Sequence, residues 1–194
     1  MLMFSHCYRR KAMQSLSVAK GFTMIELMIA VIVLGLMVAI AMPSYSIWIQ
    51  NTRIRSASES FLSGLQLARN EAVRRNSNVQ FVVGTGSAWT VSCTAVTPGC
   101  DAAAVTKIQG RASNEGSSSA VTVVASNGGG TTVRFDSFGR MSAPTPTVGT
   151  AIIYTFDNSQ LLPADSRDLR VTIDTGGNVK MCDPNVALSD ARHC

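Results

Sequence analysis

The sequence predicts an α+β protein, in which a long N-terminal membrane-spanning α-helix packs on a C-terminal antiparallel, β-sandwich-like globular domain. Three observations predict it. Residues 22–42 are almost unbroken apolar sequence, long enough as a helix to cross ~30 Å of hydrocarbon. Residues 54–72 place apolar side chains at helical spacing. From Asn78 onward, short β-prone runs alternate with Gly, Ser, Asn and Pro.

A basic leader precedes the apolar run. Arg9, Arg10, Lys11 and Lys20 lie before Gly21, and no acidic residue does. Without those four of the 17 Lys and Arg, 13 remain against 12 Asp and Glu. The chain beyond Gly21 is therefore close to neutral, and the overall charge of +5 is mostly a feature of the leader. Basicity alone does not argue for a nucleic-acid partner. Positive charge ahead of an apolar span favours retention of that side in the cytoplasm. A secretory signal would be cut after its apolar stretch; here the distinctive residues stand before it and just inside it.

Glu26 is the most unusual of them. A carboxylate within a lipid-facing helix costs on the order of 3 kcal/mol, and no cation within residues 22–42 offsets it. Cleavage after Gly21 would create an amine on Phe22, one helical turn from Glu26. Repeated between staggered subunits, that pairing would set register in a helical assembly. Pro43 ends the apolar run with a residue that weakens a helix.

Ile54, Ala57, Phe61, Leu65, Ala68 and Ala72 recur in steps of three and four, the stripe of an amphipathic helix. Arg53, Arg55, Arg69, Arg74 and Arg75 lie off that stripe and read as a solvated face, with Glu71 supporting Arg75. The helix is expected to end near Arg75-Asn76. If continuous from Phe22, it would be ~80 Å long.

Seven strands are predicted: 78–83, 88–93, 121–125, 131–135, 152–156, 169–174 and 178–182. Asn127-Gly128-Gly129-Gly130 and Thr175-Gly176-Gly177-Asn178 both read as hairpin turns. Segments 94–120 and 142–150 read as loops. The expected organisation is a leader over 1–21, a helix over 22–75 that is transmembrane over about 22–42, and a β-rich domain over 76–194.

Four cysteines follow the apolar run: Cys93, Cys100, Cys182 and Cys194. Two pairs, each close in sequence, suggest the disulfides Cys93–Cys100 and Cys182–Cys194 in an oxidising compartment, with free buried thiols as the alternative. Zinc is disfavoured by the spacing and by the lone late histidine, His193. No nucleophile elbow, phosphate loop or EF-hand spacing is present, so the expectation is a non-enzyme without cofactor.

The octapeptide Lys20-Gly21-Phe22-Thr23-Met24-Ile25-Glu26-Leu27 closely resembles the class III signal of type IV pilins and type II secretion pseudopilins. The resemblance implies cleavage between Gly21 and Phe22 by a prepilin peptidase and N-methylation of Phe22. It gives Glu26 and Pro43 roles in assembly. The stretch Leu65-Gln66-Leu67-Ala68-Arg69-Asn70-Glu71-Ala72-Val73-Arg74-Arg75-Asn76 is similar to the helix end of the GspH/FimT (FimU-like) branch of minor pilins and pseudopilins. Phe135 through Arg140 matches its later Phe-x-x-x-Gly-Arg element. The resemblance is strong over residues 20–83 and patchy beyond.

What it implies is a minor pilin at the tip or in the priming of a type IV pilus. The partners would be other pilins, met through the N-terminal helix, and inner-membrane lipid before assembly. The chain would be a single-pass protein of the inner membrane with a periplasmic domain, later part of the filament. Two alternatives stand beside this: a minor pseudopilin of a type II secretion system, and a DNA-binding minor pilin used in uptake. For the last, Arg140 and Lys180 are the candidate DNA contacts. The family's Gly-Arg-x-Arg element is represented by Gly177-Asn178-Val179-Lys180, in which an amide and a lysine replace the two arginines. Lysine offers phosphate a point charge where arginine offers a fork.

Overall fold

The computed structural model describes residues 21–145 and 150–194. The leader residues 1–20, with Cys7 and the four leader cations, lie outside the described residues, as does the middle of the 142–150 segment. The described residues divide into two units, residues 21–42 and residues 43–194.

Helix α1 runs Met24–Arg75 with Pro43 inside it. Thr23 caps its start: the Thr23 hydroxyl accepts from the Glu26 amide at 3.2 Å, and the Thr23 carbonyl accepts from the Leu27 amide. Thr and Glu three apart form the capping-box pattern. Its end is equally well defined. Asn76 adopts a positive φ of 46°. The Ser77 amide donates to the Ala72 carbonyl and the Asn76 amide to that of Val73. This is a Schellman ending with asparagine in the left-handed position.

In the globular unit the predicted stripe is the buried face. Ile54, Phe61, Leu65, Ala68 and Ala72 are fully buried and Ala57 nearly so. The strands are β1 Val79–Val83, β2 Trp89–Cys93, β3 Gln109–Arg111, β4 Val121–Ser126, β5 Thr132–Phe135, β6 Met141–Ala143, β7 Ile152–Asn158, β8 Leu169–Ile173 and β9 Val179–Cys182. They form two antiparallel sheets, ordered β3-β2-β1-β5-β6 and β4-β7-β8-β9. Phe61 joins both sheets to the helix. Its ring lies 4.7 Å from that of Phe81 in one sheet, and 5.0 Å and 5.1 Å from Tyr154 and Phe156 in the other. Burial holds the Tyr154 phenol up at about 12, and its hydroxyl donates to the Gly130 carbonyl.

Three expectations are corrected. The segment 94–120 is not only loop: it holds a short helix α2, Ala102–Thr106, capped by Asp101, and the edge strand β3. Both are too short to show a period, and β3 exists because β2 offers it a ladder. The start of the 142–150 segment belongs to β6, paired with β5. Asn127–Gly130 does not close a hairpin. Asn127 and Gly128 both take positive φ, and Gly129 donates back to Ser126, as a tight two-residue turn requires. Yet β4 pairs with β7 while β5 pairs with β1, so this turn carries the chain from one sheet to the other. Thr175–Asn178 does join paired strands, β8 and β9.

Candidate assembly and processing site

The first unit places Gly21, Phe22 and Glu26 in simple geometry. Gly21 and Phe22 precede the cap at Thr23 and are not helical. The peptide bond between them is therefore outside the hydrogen-bonded ladder, as a protease substrate needs to be. Phe22 is 81% exposed. A Cβ built on Gly21 meets nothing within 4 Å, and its φ is not in the left-handed range. Neither packing nor conformation among the described residues demands glycine at 21.

Glu26 sits at the third helical position, where the helix dipole favours an anion. Its amide is satisfied by Thr23, yet among the described residues its carboxylate makes no ion pair. Every residue from 22 to 42 is exposed, and the most apolar window of α1 has a mean hydropathy of 2.7. Pro43 lies in the continuing helix and leaves the Ala39 carbonyl without its usual donor.

The helix end works in the opposite way, because its polar groups are satisfied within the chain. Arg74 binds Glu71 in a two-pronged pair at 3.0 Å and 2.6 Å, and Arg75 adds a third contact at 2.6 Å. The Arg74 hydrogen bond, seconded by Arg75 and opposed by burial, holds the Glu71 carboxyl below its ordinary range. Arg69 donates to the Gly139 carbonyl at 3.0 Å, and Arg75 to that of Gly99 at 3.1 Å. Arg69 and Arg75 thus do not belong to a solvated face; they tie the helix to the β5–β6 turn and to the 93–100 loop.

Cys93 is bonded to Cys100 with Cα atoms 6.2 Å apart, and Cys182 to Cys194 at 5.1 Å. The first bridge is buried. The second brings the tail back to the end of β9, where the Asp183 amide donates to the Arg192 carbonyl.

The two candidate DNA contacts occupy neighbouring turns. Gly177 packs so closely on the Gly139-Arg140 turn that an added Cβ would lie 2.2 Å from the Gly139 oxygen. Lys180 is exposed on β9. The Arg140 guanidinium is committed: it pairs with Asp136 at 3.2 Å and lies 5.3 Å from the centre of the Phe138 ring. Sequence reasoning missed Asn51, whose amide pins the 165–167 loop to the helix. Nothing in its local pattern marks it, because both partners lie more than 100 residues away.

An apolar N-terminal helix with a capped, carboxylate-bearing start, continuing into a globular unit of antiparallel sheets, defines the class of pilin-like subunits. The chain belongs to the GspH family: residues 57–177 match the family described as Type II transport protein GspH. Residues 16–42 match the prokaryotic N-terminal methylation motif. Solved structures with a similar chain include the type IV minor pilin FimU of Pseudomonas aeruginosa. That likeness has 18% identity over 68% of this chain and 92% of that one, with a TM-score of 0.48. The minor pseudopilin EpsH of the Vibrio cholerae Type 2 Secretion System is also similar, at 15% identity over 69% of this chain and 99% of that one, with a TM-score of 0.49.

Proposed function

We propose that this chain is a minor subunit of a type IV pilus, cut between Gly21 and Phe22, methylated on Phe22 and drawn into the filament through its N-terminal helix. The leader over 1–21 is removed, residues 22–42 anchor the subunit in the inner membrane, and residues 76–194 fold in the periplasm. The role is structural, at the tip or in priming, with no catalysis. One observation carries the reading: a lone carboxylate, Glu26, one turn from the Phe22 nitrogen, on a helix whose apolar face is uncovered. In hydrocarbon that carboxylate calls for a cation, and the amine on Phe22 of a neighbouring subunit is the nearest chemical fit. The disulfides Cys93–Cys100 and Cys182–Cys194 suit a periplasmic domain. The match to the GspH family supports the corresponding role in a type II secretion pseudopilus equally, since both filaments use the same anchor. The replacement of the element's two arginines by Asn178 and Lys180 gives the DNA-uptake reading little support.

The test compares the native chain with Glu26→Ala in cells. Mass spectrometry of the mature N-terminus should find N-methylated Phe22 in the native chain. The variant should insert into the membrane but be depleted from sheared filaments. Normal incorporation of the variant would reject the charge pairing. Loss of surface pili on deletion of the gene favours the pilus; loss of exoprotein secretion with pili intact favours the secretion system.

A further inference from the structure

Three guanidinium groups from three distant segments converge on one groove in the globular unit. Arg55 comes from α1, Arg167 from the loop before β8, and Arg192 from the C-terminal tail. The groove encloses about 450 Å³, and Trp48, Asn51 and Asp183 also line it. Its geometry is built rather than incidental. Asn51 accepts from the Arg167 amide at 2.8 Å and donates to the Asp165 carbonyl at 2.9 Å, fixing the loop that carries Arg167. The Cys182–Cys194 bridge and the bond from the Asp183 amide to the Arg192 carbonyl hold the tail that carries Arg192. Arg55 and Arg192 have carboxylate partners, the exposed Glu59 and the half-buried Asp190. The Arg167 guanidinium has none among the described residues. Hydrogen bonding from Arg192 holds Asp190 down at about 2.

The position of the groove along the chain identifies its ligand. It begins at Ile47, five residues after the apolar run ends at Met42. Five residues reach at most ~18 Å even when fully extended. Whatever the orientation of the globular unit, the chain therefore keeps this edge of the groove close to the headgroup layer. Tyr45 and Trp48 stack at 5.9 Å and are both more than 60% exposed. Exposed Tyr and Trp just past the end of a span are the side chains that settle at the lipid–water boundary. Basic residues next to them attract anionic headgroups.

We propose that this groove binds the phosphate of an anionic phospholipid while the subunit waits in the membrane, with Arg167 as the principal contact and Trp48 against the glycerol region. This rests on the membrane-anchored reading above and adds a lipid class and a site to it. Duplex DNA fits less well. It carries a charge every ~1.7 Å and would set further phosphates against Glu59 and Asp190, outside the groove, whereas one headgroup meets only the groove lining, in which Asp183 is the one carboxylate against three guanidinium groups.

The test uses the full chain in nanodiscs of phosphatidylcholine, doped with an equal fraction of brominated phosphatidylglycerol or brominated phosphatidylcholine. Bromine quenches a nearby indole. Trp89 is buried and serves as a constant background, checked with Trp48→Phe. The brominated anionic lipid should quench Trp48 at lower fractions than the neutral one. Arg167→Gln should weaken that preference roughly fivefold, the contribution of one basic residue at an anionic surface. Asn51→Ala, which only positions Arg167, should weaken it less, and Arg140→Gln should not. Equal quenching by both lipids, or a preference unchanged in Arg167→Gln, overturns the proposal. So does loss of the preference when inorganic phosphate is added at the concentration of the anionic lipid, which would make the site one for free phosphate. An Arg167-dependent gel shift with duplex DNA in the absence of lipid preference would reassign the groove. A chain that fails to enter the discs refutes the membrane reading itself; a chain that enters without preference refutes only the groove.

Discussion

Gly64 sets two known effects against each other. It lies inside α1, where replacing glycine with alanine ordinarily stabilises a helix by about 1 kcal/mol. Here the added Cβ would lie 2.7 Å from Phe81 Cε2, and 2.9 Å and 3.0 Å from two atoms of the Trp89 indole. Phe81 has no room to retreat, and Trp89, which borders an open groove, can retreat only by straining the hydrogen bond that holds its indole. Phe81 is fully buried and packs edge-on against Phe61 at 4.7 Å. Trp89 stacks on Phe81 at 5.5 Å, and its indole N–H donates to the Ser60 hydroxyl at 3.0 Å. Overpacking of this kind costs about 1–3 kcal/mol, and straining the indole hydrogen bond adds up to about 1 kcal/mol. The clash outweighs the propensity gain, so Gly64→Ala should destabilise by about 1–2 kcal/mol. For a chain of this size that lowers Tm by about 2–4 °C per kcal/mol. The assay is thermal unfolding of the full chain in detergent, followed by near-ultraviolet circular dichroism, which reports Trp89. Gly35→Ala is the control, because a Cβ there meets nothing within 4 Å. A Gly64→Ala chain more stable than the native one would refute the close helix–sheet approach.

Two further predictions concern carboxylates. Glu71→Gln should cost about 1.5–3 kcal/mol at pH 7, the usual worth of hydrogen bonds to a charged group. Because Arg74 and Arg75 lower the Glu71 pKa in the folded chain, that stability is present above the ordinary glutamate range. It disappears as pH falls through the lowered value, so denaturant titrations of variant and native chains should converge as pH falls below the ordinary glutamate range. Asp168 is the reverse case. Burial, and the nearby charge of Asp157, raise its pKa despite a hydrogen bond from Ser166. A raised carboxyl costs stability once it is ionised, so Asp168→Asn should raise Tm at pH 7. The gain should vanish below the ordinary aspartate range, where the group is neutral in both states; a loss at pH 7 would show that its hydrogen bond outweighs its burial.

Much of this architecture could be read from the sequence wherever the cause was local. The helical stripe from Ile54 to Ala72 predicts the buried face, because helical spacing alone selects one side. Thr175–Asn178 gives its turn because Gly177 supplies the left-handed conformation a tight hairpin needs, with the Gly177 amide donating to the Asp174 carbonyl. Asn127–Gly130 has the same local chemistry and makes a comparable turn, but which strand pairs with which is decided by the sheets and not by the turn. Arg69 and Arg75 read as surface charges from their spacing. Their heads reach carbonyls 70 and 24 residues away, and no local pattern encodes that. The groove was only partly legible: convergence of Arg167 and Arg192 with Arg140, Arg170 and Lys180 is conceivable from the sequence, but the fold groups the first two with Arg55, which reads as helix surface.

The two motifs that set this chain apart therefore carry different kinds of information. At the helix end, Glu71 is matched by Arg74 and Arg75, Arg69 by Gly139, and Arg75 also by Gly99. Asn76 supplies the left-handed residue of the C-terminal cap. Those residues are used up in holding the helix to its sheets and leave little to offer a partner. At the N-terminus the balance is reversed. Among the described residues nothing around Gly21 requires it, Phe22 projects, and the Glu26 carboxylate has no cation. A residue satisfied within its own chain explains a fold; one left unsatisfied in an apolar setting implies a second molecule. By that criterion the helix end is a structural clasp, and the first turn of the helix is where the proposed assembly contacts would act.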